Sequence, residues 1–263
     1  MSESLGAEHW MAGRGIVSGA EYLVPAQAVL LGWDPPAEKR WWVQTSVGTA
    51  AHPDPDAASR AALAEVLERD ALVRGWRTGE IEFHDLGWLL AEALPASLYN
   101  KIVTDNVTIS VVRAGSTAFH PVLAMMHRRD GGNLTCGAAI RADTRAAVRH
   151  AVLEALLVRV SLSAPAQPGR LEAHHHTRGL LAAQNGPQHL RFIAERSNGP
   201  DTAVATETTL PALSVHARER FGHEPVVVDL PAAAGHAVRR VICPGSSVLE
   251  PRGAETGLLS PIA

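Results

Sequence analysis

Three carboxylates occupy positions where amphipathic helices should be apolar. Two stretches, Pro55 to about Trp76 and about Thr144 to Leu162, carry alanine- and leucine-rich patterns with helical spacing. At about 100° per residue, Arg60, Asp70 and Arg74 share one face of the first helix. Arg145, Arg149 and Arg159 share one face of the second. These read as the solvated sides. Glu65 and Glu68 fall on the other side of the first helix, among Ala61, Leu72 and Trp76, and Glu154 falls opposite the arginines, among Ala147, Ala151 and Val158. A carboxylate on an apolar face is costly unless a cation or hydrogen-bond donors meet it. Two chemistries would do so. Arg69, one turn beyond Glu65, and His150, one turn before Glu154, could brace the fold as ion pairs. Alternatively, the carboxylates could hold Mg2+, a hard cation that takes oxygen ligands and often bridges carboxylates to nucleotide phosphates. Periodicity leaves both open.

The elements that must place these carboxylates look duplicated. The run Gly48 to Glu65 aligns without a gap on Gly137 to Glu154, and Gly48, Ala50, Asp54, Ala57, Ala58, Arg60, Ala62 and Glu65 each have an identical partner 89 positions later. A turn glycine, an N-cap aspartate and a late glutamate are harder to match by chance than alanines are. The expectation is two strand-turn-helix units related by a pseudo-twofold, with Glu65 and Glu154 at equivalent places. Asp54-Pro55 is a helix start, with aspartate as N-cap and proline in the first turn.

Around these units, Glu21 to Leu31 reads as strand and turn, closed by Asp34-Pro35-Pro36, and Trp41 to Ser46 as a strand entering a polar turn at Gly48. Val107 to Val112, His120 to Met126 and a run from Asn133 read as strands. The second helix is bounded by Pro165 and Pro168. Helix signals follow at Leu180 to Ala183 and Leu213 to Phe221, then strands at Pro225 to Leu230 and Val238 to Ile242. Interleaved helices and strands imply an α+β architecture of mixed sheets with packed helices, in one domain over residues 1–263. A net charge of -3 without a basic patch argues against a nucleic-acid partner. No apolar run approaches the roughly 20 residues of a membrane span, so no membrane association and a cytoplasmic protein are expected. Cys136 and Cys243 form neither a disulfide framework nor a zinc motif. Cys136 reads as a small buried residue, His174-His175-His176 as surface, and Gly13-Arg14-Gly15 lacks the context of a phosphate loop.

On these residues the chain resembles the YcaO family. Glu65-Val66-Leu67-Glu68-Arg69-Asp70-Ala71 is similar to its E-x-x-E-R-D-A helix, and Thr45-Ser46-Val47-Gly48-Thr49-Ala50 to its SNGxA turn. Ala151 and Glu154 match its A-x-x-E-x-x-Q helix, Val226 to Pro244 its closing strand pair ending in PG, and His9-Trp10 with Leu23 to Ala26 the stretch before the central motif. Val47 stands where the family has asparagine, and Leu157 where it has glutamine. The chain shows no match to the family's N-terminal glycine-rich segment or further glutamate helix, and none to the PxPxP tail of azoline-forming members.

The resemblance implies a YcaO-like fold and ATP-dependent activation of peptide backbone amides. Glu65, Glu68 and Glu154 would be Mg2+ ligands, and the same three with Arg69 would contact ATP; no catalytic residue is singled out. It implies a bacterial component of a system that modifies a ribosomally made precursor peptide, by cyclodehydration to thiazole or oxazole precursors or by thioamide formation. A partner chain or a homodimer would complete the site, and ATP binding by the chain alone is expected to be weak. The alternative expectation is a non-catalytic YcaO-like subunit serving as a dimerisation or peptide-presenting scaffold.

Overall fold

The computed structural model describes residues 10–31, 45–105, 107–115, 119–163, 184–200 and 207–248. In chain order come β1 (Trp10–Gly15), β2 (Glu21–Pro25), α1 (Ala26–Val29), β3 (Thr49–His52), α2 (Pro55–Thr78) and β4 (Phe83–Asp85). A short 3-10 turn, Gly87–Leu89, leads to α3 (Leu90–Ala93) and α4 (Ala96–Thr104), then β5 (Thr108–Ala114), β6 (Val122–His127), β7 (Thr135–Ala139) and α5 (Thr144–Ser163). The last elements are α6 (Gly186–Ala194), β8 (Ser197–Pro200), α7 (Leu210–Phe221), β9 (Val226–Leu230) and β10 (Ala237–Ile242). Among the described residues no helix is long and apolar enough to cross a membrane.

Two compact units share the chain: Met1–Leu67 with Thr208–Ser246, and Glu68–Glu207 with Ser247–Ala263. The boundary falls inside α2. The first unit holds an antiparallel sheet of order β2-β1-β9-β10-β3 with a core of Val24, Val29, Val226 and Val228. Its β1–β2 hairpin is fastened by one carboxylate: Glu224 accepts from the backbone of Val17 and Ser18 and from the hydroxyls of Ser18, at 2.6 Å, and Tyr22, at 2.7 Å.

The second unit holds a sheet of order β7-β6-β5-β4-β8, antiparallel except where β4 meets β8. Alternate residues of its central strands bury on opposite faces. Val111, Val122, Ala124, Met126 and Ala139 pack with Ala147, Val148, Ala151, Val152 and Ala155 of α5. Val112, Leu123, Met125, Cys136 and Ala138 pack on the other face with Leu72 and Trp76 of α2 and Phe192 and Ile193 of α6. Covering both faces removes the inside-outside alternation, which is why β6 is buried at every position. Trp76 anchors the second face, stacked on Phe192 with ring centroids 4.3 Å apart.

The long helices and strands β5, β6, β7, β9 and β10 form where sequence periodicity places them, whereas β8 (Ser197–Pro200) carries no strand signal in the sequence. Thr45 and Ser46 lie outside any strand, and the strand forms beyond Gly48 instead, where β3 pairs with β10. Gly13-Arg14-Gly15 lies in β1, whose glycines give no alternation to read. Expectations for His9, for Asp34-Pro35-Pro36, for residues 41–44, for the prolines bounding the second helix, for Leu180 to Ala183 and for the triple histidine lie outside the described residues.

Gly137 sets the distance between β7 and α5. A Cβ there would stand 2.3 Å from the Ala151 carbonyl oxygen and 2.4 Å from the Ala155 nitrogen, both rigid backbone. Gly137→Ala is expected to cost about 3 kcal/mol or more in urea unfolding. Gly115→Ala, at φ +82 with open space, should cost only about 1–2 kcal/mol. The Ser18 and Tyr22 hydroxyls hold the Glu224 carboxyl down at about 2, from an ordinary 4.5. A depressed folded value means the stabilisation is present above 4.5 and disappears as pH falls toward 2. The stability difference between wild type and Glu224→Gln should therefore shrink across that window, as acid titrations of thermal melts will show.

Candidate functional site: two carboxylate motifs and the arginine between helices

Each long helix starts on an aspartate and returns a glutamate to the preceding strand or to the turn that enters it. Asp54 Oδ1 accepts the Asp56 N–H at 3.0 Å, and Asp143 accepts the N–H groups of Arg145 and Ala146 at 3.3 and 3.1 Å. Such caps satisfy amides that have no intrahelical partner and fix where the helix begins. Three turns later Glu65 Oε2 accepts the Gly48 N–H at 3.0 Å, and Glu154 Oε2 accepts the Ala138 N–H at 2.9 Å. Both strands, β3 and β7, are the last in their sheets. The repeat thus appears as two local motifs, with the donor one register position further along in the second. The parallel is one of local architecture; it does not demonstrate a rotational symmetry.

In the second unit the carboxylates are gathered by Arg69. Its Nη2 lies 2.6 Å from Glu154 Oε1 and its Nε 3.5 Å from Glu68 Oε1. Glu68 and Arg69 are largely buried, with side chains 6% and 12% exposed, while Glu154 is 31% exposed. The bridge therefore joins α2 to α5, whereas sequence spacing pairs residues only within a helix. His150 is a poor counterion for Glu154: partial desolvation, then Arg141, holds its imidazole below the ordinary value. Cys136 lies against this cluster, and burial, followed by the Glu154 charge, pushes its thiol well up, so it stays protonated and packs as a small apolar residue.

The solvated face expected for α2 is corrected by the structure. Asp70 is 1% exposed and Arg74 half-buried, the two joined at 2.9 Å, while Ala61, expected inside, is exposed. Beyond Ala61 the helix is covered on nearly every side. On α5, Arg145 and Arg149 are exposed as expected and Arg159 is intermediate.

In the first unit Glu65 has a neighbour that sequence reasoning missed. Arg240 of β10 is 2% exposed; its Nη1 donates to Thr49 Oγ1 at 2.7 Å and its Nε to the Ala28 carbonyl at 3.2 Å. Desolvation pulls its guanidinium down to about 10, against the favourable charge of Glu65. The only signal in the sequence was an arginine at an inward position of an apolar strand. Gly48 makes this close packing possible: at φ +82 it lies so near β10 that a Cβ would sit 2.6 Å from the Val241 carbonyl oxygen.

These donors are chemically suited to a hard divalent cation. Among the described residues no three His, Cys, Asp or Glu side chains gather as a ready-made metal cage. Mg2+, however, is commonly held by one or two carboxylates plus substrate phosphates. Glu68 and Glu154 form such a pair on either side of the Arg69 guanidinium.

Comparisons with known proteins agree with this architecture. The family model described as YcaO cyclodehydratase, ATP- and Mg2+-binding, matches residues 6–247. No curated protein sequence matches the chain. A YcaO from Methanopyrus kandleri bound with AMPPCP and Mg2+ is similar in structure at a TM-score of 0.65 and 19% identity, over 93% of this chain and 68% of that one. The E. coli microcin synthetase McbBCD complex with pro-MccB17 bound gives 0.72 and 12%, over 97% and 72%. A heterocyclase in complex with substrate and cofactor gives 0.67 and 16%, over 90% of this chain and 33% of that one. The chain thus spans about a third of that heterocyclase. At these identities the likeness is one of fold.

The Arg69–Glu154 bridge has a measurable energy. In a double-mutant cycle with Arg69→Met and Glu154→Gln, a coupling of about 1–2 kcal/mol is expected from urea unfolding. A coupling near zero would mean that the two helices do not depend on this contact.

Proposed function

Because the chain belongs to the YcaO family, we propose that it is a component of an ATP- and Mg2+-dependent system that activates backbone amides in a ribosomally made peptide. The two units would act together as one YcaO-like domain. The observation that carries this reading is Arg69 holding Glu68 and Glu154 together on the helices that carry the family's glutamate motifs. Glu68 and Glu154 would bind Mg2+, and Arg69 would meet phosphate oxygens when they arrive. ATP, when bound, supplies the phosphoryl group that makes an amide oxygen a good leaving group. The chain's own contribution is positioning and charge: caps and backbone bonds fix the carboxylates before any ligand comes, so little reorganisation is needed. Cyclodehydration to azolines is the favoured reaction class, since similar folds occur in a heterocyclase with its substrate and in a synthetase with pro-MccB17 bound. Thioamide formation would use the same activation. The substrate would be a precursor peptide, with a partner chain or second copy completing the site.

One observation favours a second reading, a non-catalytic scaffold for dimerisation or peptide presentation. Both oxygens of Glu154 already meet protein donors, Arg69 and Ala138. Val47, where the family has asparagine, is packed at 8% exposure, and Leu157, where it has glutamine, presents an apolar side chain 67% exposed.

Thermal melts with and without Mg·ATP separate the two. At ten times its Kd, a nucleotide that binds only the folded state adds about 1.4 kcal/mol, a Tm rise of roughly 3–5 °C. The rise should vanish without Mg2+ and in Glu68→Gln. No rise at millimolar Mg·ATP, in the chain alone and with its partner and precursor peptide, leaves the scaffold reading standing.

A further inference from the structure

Asp70 follows Arg69 in α2 and is 1% exposed. Its Oδ1 accepts the Ser247 backbone N–H at 2.7 Å and Arg74 Nη2 at 2.9 Å. Val248, the next residue along, is itself buried at 7% exposure. The chain enters the second unit at Glu68 and again at Ser247. Asp70 thus lies just past one entry and bonds the first residue of the other.

Hydrogen bonds to an ionised carboxylate are among the stronger ones, and a carboxylate this buried is held by them in one place. Adjacent helix residues are separated by about 100° around the axis. Fixing the direction of Asp70 therefore fixes the direction of Arg69, whose guanidinium must span to another helix to meet Glu154 at 2.6 Å. A small rotation of this turn would carry Nη2 out of hydrogen-bond range, because such bonds weaken steeply with angle and distance.

We propose that Asp70 is a positioning residue: by binding the Ser247 N–H it holds the Arg69 turn of α2 in register with Glu154 and keeps the carboxylate cluster assembled. The geometric part stands on this chain's contacts alone. Its consequence for nucleotide rests on the function proposed above. Asp70 need touch neither cofactor nor substrate.

Amide hydrogen exchange on the full chain tests this, in wild type, Asp70→Asn and Ser247→Pro. The second variant removes the donor and leaves α2 unaltered, so it serves if the first folds poorly. The reporter is the Ala138 amide, on β7, which donates to Glu154. Both variants should speed its exchange about tenfold with β9 amides unchanged, and should weaken any Mg·ATP response seen in wild type. Faster exchange confined to the residues around Ser247, or an equal acceleration everywhere from global destabilisation, overturns the proposal. A wild type that ignores Mg·ATP while Ala138 still responds keeps the positioning role and defeats the cofactor reading instead.

Discussion

A helix carboxylate bonded back to the strand that precedes its own helix, or to the turn entering that strand, is the contact on which both candidate motifs depend. Glu154 reaches Ala138 on the edge strand β7, where a backbone N–H would otherwise have no ladder partner, and Glu65 reaches Gly48 in the turn that enters the edge strand β3. The bond orients a charged side chain without requiring a ligand. It also explains why the glycine matters as much as the glutamate: without a side chain at Gly137, α5 lies against β7 closely enough for the carboxylate of Glu154 to turn onto the strand. Cap, glycine and glutamate are parts of one device, and each loses its purpose if another is removed.

Burying charges is expensive, and the structure meets the expense by sharing. Glu68 and Glu154 share Arg69, Asp70 is divided between Arg74 and a backbone amide, and buried Arg240 depends on Thr49, a carbonyl and the field of Glu65. A well-packed apolar set could be as stable as such pairs. What apolar residues could not provide is a group of charges already oriented when a charged ligand arrives.

How much of this was readable depended on how local each signal was. Asp54-Pro55, the two long helices and the repeated glycine and glutamate were legible, because caps, periodicity and turn glycines act within a few residues. The pairing of Arg69 was not, since helical spacing names only neighbours on the same helix and cannot see α5. Asp70 was misplaced for a related reason: Arg60 and Arg74 frame a face that looks solvated, yet the helix is covered nearly all round beyond Ala61. Arg240 gave only a weak sign, an inward charge on a strand whose carboxylate neighbour, Glu65, lies in a helix far off in sequence. β1 was missed because glycine at two of its positions leaves no alternation to detect.

The positions where this chain departs from its family then carry unequal weight. Val47 is packed, and its backbone N–H meets Thr45 Oγ1 at 3.2 Å within the turn that presents the Gly48 amide to Glu65. Replacing a polar group there changes what the turn can offer a ligand but leaves the carboxylate where it was. Leu157 is different. It lies nearly one turn beyond Glu154 on α5 and is two-thirds exposed, with Val160, also exposed, on the same side. An apolar side chain in water gains nothing from folding, so neither residue is held there by the core. This stretch of α5 therefore sets exposed apolar groups within a turn or two of a carboxylate that the strand holds oriented.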